Sequence, residues 1–136
     1  MVNTKLLLGA SAVVLGTAGL AGTFAPHELL SAIGIAPAGA LPILVQLLAA
    51  LYFGFAMLNW AAKGSLIGGI YNRPVAIGNL THFVIGALAL AKAVMSGQSN
   101  RVVIAATVVY VVFALGFSVV FFRSPVAEAA SGDRLR

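Results

Sequence analysis

The sequence contains no cysteine and very few charged residues. Without cysteine, disulfides, thiolate metal sites and thiol-based catalysis are excluded. Only 8% of the 136 residues are charged, whereas charged residues make up about a quarter of an ordinary soluble domain. Hydrophobic residues make up 61%, more than a soluble fold of this length could bury. The composition therefore predicts an integral membrane protein.

Carboxylates are especially scarce. Glu28, Glu128 and Asp133 are the only three, and none lies within a long apolar run. A small proton-coupled transporter normally depends on a carboxylate inside the membrane, and an enzyme needs a general acid, base or nucleophile. Enzymatic activity is therefore not expected, and transport is kept only as an alternative.

The basic residues are scattered, although the net charge is +5 at pH 7. They stand singly beside apolar runs, where they would meet phospholipid headgroups. Nucleic-acid binding would require a basic patch on a polar surface, which this sequence lacks. Membrane lipids are the expected partners, and nucleic acid is not.

Four apolar runs are long enough to span a bilayer, which takes about 20 residues. The sequence thus predicts an all-α, polytopic four-helix bundle occupying residues 1–125, with a disordered cytoplasmic tail at 126–136. The first run could instead be a cleaved signal peptide, but its apolar stretch is longer than a typical signal core. The predicted spans are 4–24, 42–62, 74–95 and 102–122.

A short amphipathic helix is predicted between spans one and two, from His27 to Ile33 and ended by Gly34. Leu29, Leu30 and Ile33 share one face of it. This apolar face predicts that the short helix lies in the membrane interface.

Lysine and arginine counts predict the orientation. With four spans, the side that holds both termini carries six of these residues and the other side carries two. Because cytoplasmic loops are enriched in basic residues, both termini are expected in the cytoplasm. The six are Lys5, Lys63, Arg73, Arg123, Arg134 and Arg136, and the two are Lys92 and Arg101.

Polar side chains in spans two and three form the first candidate site. Tyr52 and Asn59 are seven residues apart, and Asn79 and His82 are three apart, so each pair shares a helix face. Both asparagines lie near the cytoplasmic ends of neighbouring antiparallel spans. The spacing predicts a hydrogen-bonded layer of these four residues, which either fastens the two spans or lines a pocket for a lipophilic molecule.

"GNLTH", from Gly78 to His82, offers another interpretation of the histidine. A small residue four positions before a histidine leaves room for a flat macrocycle above the imidazole. His82 could then be the axial ligand of a haem or chlorin, the only metal role the sequence suggests. Tyr110 also lies in mid-membrane, where its hydroxyl needs a partner.

Small residues recur within every predicted span. In lipid, where apolar surface does not drive helices together, such residues allow close packing. Their spacing is compatible with a compact bundle and with a homo-oligomer. A larger membrane complex is kept as a separate possibility for the protein's partners. The pairs are Ala12 and Gly16, Ala18 and Gly22, Ala50 and Gly54, Gly78 and Gly86, and Ala114 and Ser118.

Lys63 and Arg73 flank the glycine-rich loop between spans two and three. Together they could bind an anionic headgroup, or each could be an ordinary charge anchor beside a span. The loop lacks the spacing and the lysine of a phosphate-binding loop.

The segment "LYFGFAMLNWAAKGSLIGGIYNRPVAIGNLTHFVIGAL", residues 51–88, together with the length and the four short spans, resembles small bacterial integral membrane proteins. Their layout is distantly similar to that of the DoxX-like four-helix proteins. The resemblance implies a bacterial inner-membrane location and supplies no catalytic motif. The leading prediction is a non-enzymatic protein that binds a lipophilic molecule or serves as an accessory subunit, with any cofactor unknown.

Overall fold

The computed structural model describes residues 3–64, 73–98 and 100–122, and within them it contains helices and no strand. Four of these helices are long and apolar enough to cross a membrane. The prediction of an all-α chain with four spanning helices is confirmed. The helices are α1 (Thr4–Phe24), α2 (Pro26–Ala32), α3 (Leu41–Ala62), α4 (Arg73–Met95) and α5 (Arg101–Phe122).

The helix boundaries lie within one residue of those predicted. Helices α3 and α4 each begin one residue before a proline, which is tolerated in the first turn because its missing N–H would have no intrahelical partner. The short helix α2 also begins at a proline and ends before Gly34, whose φ of +82° suits glycine. The predicted tail at 126–136 and most of the loop between α3 and α4 lie outside the described residues.

Helices α1 and α3 form one antiparallel pair, and α4 and α5 form another. Glycine brings the backbones of the first pair together. A Cβ atom on Gly19 would lie 2.9 Å from both the Ala49 carbonyl oxygen and the Phe53 nitrogen, and one on Gly22 would lie 2.8 Å from the Ala49 Cβ. Such close approach is how small residues pack helices in lipid.

Aromatic stacking holds the second pair. Phe83 of α4 is fully buried, and its ring centroid lies 4.8 Å from that of Phe113 and 5.6 Å from that of Phe117 on α5. Gly86 faces the ring of Tyr110, which leaves no space for a Cβ atom there. The two antiparallel pairs approach each other along shorter stretches, through α1 with α5 and α3 with α4.

Both ends of the described chain lie at the same end of the bundle. Near the start of α1, Leu7 packs against Gly116 of α5, where a Cβ atom would lie 2.8 Å from Leu7 Cδ1. At the opposite end, Asn100 joins α5 to α2. Its Oδ1 accepts from the Val102 nitrogen at 2.7 Å, and its Nδ2 donates to the Ala32 carbonyl at 2.6 Å. The bundle is therefore closed at both ends by contacts between distant parts of the chain.

Candidate functional site

Two buried asparagines form a reciprocal pair between α3 and α4. Asn59 Nδ2 donates to Asn79 Oδ1 at 2.7 Å, and Asn79 Nδ2 donates to Asn59 Oδ1 at 2.6 Å. Both side chains have 0% exposure. The structure thus brings together the two asparagines that the sequence placed at comparable depths, and it links the two antiparallel helix pairs through them.

Every amide hydrogen of this pair has a partner. Asn59 Nδ2 also donates to Ser11 Oγ of α1 at 3.0 Å, and Asn79 Nδ2 also donates to the Val75 carbonyl at 2.9 Å. Since an asparagine amide has two N–H donors, none remains for a ligand. The cluster of Ser11, Asn59 and Asn79 therefore fastens three helices, and Ser11 is a member that the sequence analysis did not identify.

Tyr52 and His82 belong to a separate cluster that centres on Tyr110. His82 Nε2 lies 3.1 Å from the Tyr110 hydroxyl, which donates to the Tyr52 hydroxyl at 2.7 Å. The predicted layer is thus split into an asparagine cluster and a tyrosine–histidine cluster. Tyr110 finds the partner that its mid-membrane position required.

His82, Tyr110 and Tyr52 form a series of two hydrogen bonds that ends at the Tyr52 hydroxyl. In the arrangement in which Tyr110 donates to Tyr52, the His82 tautomer that is protonated at Nε2 supplies the hydrogen for the other bond. The Tyr52 hydroxyl accepts from Tyr110, and among the described side chains nothing accepts its own hydrogen. In that arrangement His82 donates to Tyr110 and Tyr110 donates to Tyr52, so the hydroxyl hydrogen of Tyr52 is the one left without an acceptor among the described side chains.

Aromatic rings surround His82. Phe55 stacks on the imidazole at 5.1 Å between centroids and 24° between planes. A Cβ atom on Gly78 would lie 3.6 Å from Phe55 Cε1, so the phenyl ring fills the space that Gly78 would leave for a macrocycle. With Nε2 bonded to Tyr110 as well, this arrangement favours a structural role for His82 over the axial-ligand role. Within the described ranges, no cluster of three or more His, Asp or Glu residues could hold a metal ion.

A cavity of about 550 Å³ lies beside the tyrosine–histidine cluster, where α1, α3, α4 and α5 meet. Tyr52 and Tyr110 line it in mid-bundle, and Arg101 lines it at the start of α5. Nine residues of helix separate Arg101 from Tyr110, or about 13 Å along the axis. The other eight lining residues are all apolar: Val14, Leu15, Ala18, Leu90, Val102, Ala105, Ala106 and Val109.

The two residues predicted to bind a headgroup have different surroundings. The Lys63 ammonium lies 2.7 Å from the centroid of the Trp60 ring, and Lys63 shares a groove with Lys5 of α1. Arg73, the first residue of α4, is exposed and does not line that groove. The loop 65–72, which would relate Lys63 to Arg73, is outside the described residues.

No known protein family, curated protein or solved structure matches this chain. The resemblance to small bacterial four-helix membrane proteins therefore stays a prediction. What can be said of function depends on the geometry of the two clusters and the cavity.

Proposed function

We propose that this protein is a non-enzymatic integral membrane protein that binds a lipophilic molecule in the cavity between Tyr52 and Arg101. One observation carries the proposal: the Tyr52 hydroxyl, at the end of the hydrogen-bonded series, lies on the wall of a cavity whose other lining residues are apolar except Tyr110 and Arg101. Binding sites for small molecules are typically apolar, with a few placed polar groups and volumes of about 300–1,000 Å³. The cavity meets each of these criteria.

The hydrogen bonds behind Tyr52 define the chemistry of the ligand. Tyr52 receives a bond from Tyr110, which receives one from His82, and hydrogen bonds in series strengthen one another in a low-dielectric interior. Tyr52 would therefore donate to an acceptor oxygen, such as a carbonyl at the polar end of the ligand. Val102 and Ala105 on the cavity wall are exposed, so a ligand can enter sideways from the bilayer.

Cellular location and topology form a second part of the proposal. The excess of lysine and arginine on the side that carries both termini supports their location in the cytoplasm. The resemblance to small bacterial membrane proteins supports the bacterial inner membrane. Arg101 would then lie at the non-cytoplasmic end of the cavity and the asparagine cluster nearer the cytoplasm.

Filling the cavity should remove the ligand. Ala106 is half-buried on the cavity wall, and Ala106→Phe would place a phenyl ring in the ligand's space. Native mass spectrometry from lipid nanodiscs should show a co-purified small molecule on the wild type that Ala106→Phe lacks. The matched control is Ala50→Phe, at an exposed alanine of α3 outside this cavity. Equal retention by the two variants would contradict the assignment of the cavity.

Removing the Tyr52 hydroxyl should weaken binding of carbonyl ligands only. Decylubiquinone serves as a probe with a carbonyl acceptor and an apolar chain, and decylbenzene as a probe without the acceptor. Tyr52→Phe should raise the dissociation constant of decylubiquinone about threefold to tenfold, the range expected for one hydrogen bond. The affinity for decylbenzene should stay unchanged. An equal change for both probes would show that Tyr52 acts by shape and not as a donor.

A further inference from the structure

A second groove lies at the other end of α1, between the first turns of this helix and the last turn of α3. Its volume is about 630 Å³. Asn3, Lys5, Trp60 and Lys63 line its polar end. Its remaining wall is apolar and runs along α1 from Leu6 to Val14. The groove thus has a cationic end and an apolar length, as a membrane lipid has a headgroup and a chain.

Two cations share the polar end of this groove, and no carboxylate of the described chain is near them. Glu28, the only carboxylate within the described residues, is on α2, which follows the opposite end of α1. Lys63 is held by its contact with the Trp60 ring, a cation–π arrangement that leaves its N–H donors available. The paired lysines therefore complement an anionic group.

The apolar wall has an open depression at Gly9. A Cβ atom at this position would meet no other atom within 4 Å, and Ala10 beside it is exposed. Leu6 and Val13, one helical turn to either side of Gly9, are also exposed. The floor is thus formed by small residues and the sides by larger ones, a shape that suits an extended acyl chain.

We propose that this groove binds one anionic phospholipid, with its phosphate between Lys5 and Lys63 and an acyl chain across Gly9 along α1. Trp60 lies at the level of the headgroup, where tryptophan is enriched in membrane proteins. The site is independent of the proposed cavity ligand, because the groove and the cavity share only Val14. In this proposal Lys63 shares the anionic headgroup with Lys5, whereas the sequence had suggested Arg73.

The test compares two lipids that differ only in headgroup. The full-length protein is titrated in neutral detergent with phosphatidylglycerol or phosphatidylcholine carrying the same acyl chains, and bound lipid is counted by native mass spectrometry. Wild-type protein should bind one phosphatidylglycerol in preference to phosphatidylcholine. Lys5→Gln and Lys63→Gln should each weaken phosphatidylglycerol binding about fivefold, as one cation near an anionic surface contributes. Lys92→Gln, at an exposed lysine near the other end of α4, should leave it unchanged.

Two further arms separate the acyl groove from simple anion binding. Gly9→Leu adds a side chain to the depression at a position where a Cβ atom has no neighbour within 4 Å, and it should reduce phosphatidylglycerol binding. Gly54→Leu, at another glycine with open space for a Cβ atom, should not. Glycerol phosphate, which has the anion without the chains, should not displace the lipid at millimolar concentration. The proposal would be overturned if the two lipids bound equally, or if Lys92→Gln weakened binding as much as Lys5→Gln and Lys63→Gln do. It would also be overturned if Gly9→Leu had no effect, or if glycerol phosphate displaced the lipid.

Discussion

Asn59→Leu is expected to lower the free energy of unfolding by about 1–3 kcal/mol, the cost of leaving buried polar groups without partners. The variant removes the bonds from Asn59 to both Ser11 and Asn79. Asn79 would then lose a donor and an acceptor contact while it remains fully buried. Reversible unfolding in bicelles measures the change.

The double variant tests whether the two asparagines act as a pair. Asn59→Leu combined with Asn79→Leu removes both amides, so neither is left unsatisfied, and the combined loss should be smaller than the sum of the single losses. Gln46→Leu on the same helix is the control, because Gln46 is exposed and makes a single bond, to the Thr23 carbonyl. Additive losses, or a Gln46→Leu loss as large as that of Asn59→Leu, would contradict the fastening role.

Gly19→Ala is expected to destabilise the bundle by about 3 kcal/mol, at the upper end of the usual cost of overpacking. The new methyl group would meet two backbone atoms of α3 at 2.9 Å. Backbone atoms cannot rotate away as a flexible side chain can, so α1 and α3 would have to separate along their shared length. The same unfolding measurement in bicelles reports the loss.

Gly54→Ala provides the matched control for this prediction. Gly54 lies within α3, and a Cβ atom there would have no neighbour within 4 Å. Alanine is a better helix former than glycine, by about 1 kcal/mol in a helix interior, so this variant should be neutral or slightly stabilising. If both alanine variants changed stability equally, the effect would come from helix propensity and not from contact between α1 and α3.

The positions of the helices could be read from the sequence because bilayer thickness and proline constrain them strongly. Span length follows from the hydrocarbon core, and proline in the first turn marks where α3 and α4 begin. The pairing of α1 with α3 could not be predicted in this way. These helices are apolar around most of their circumference, and their few polar residues do not specify which neighbour each helix contacts.

The sequence predicted which residues of a helix share a face and that Asn59 meets Asn79, but not the other contacts between helices. Asn59 and Asn79 were found because polar side chains in lipid need one another, and their depths agreed. Ser11 was missed because serine often bonds to its own helix, as Ser11 also does to the Leu8 carbonyl. The contact of Phe55 with His82 depends on the rotation of α3 relative to α4, which periodicity within one helix does not determine.

The order in which the chain is made gives the asparagine cluster a further significance. Helices α1 and α3, including the glycine contacts that join them, are complete once Ala62 has been synthesised. Asn59 has Ser11 as a partner within the α1–α3 pair, but its main partner belongs to α4, which is translated later. If α1 and α3 pair before α4 docks, Asn59 would present a partly unsatisfied amide to the bilayer, and docking of α4 would relieve that cost.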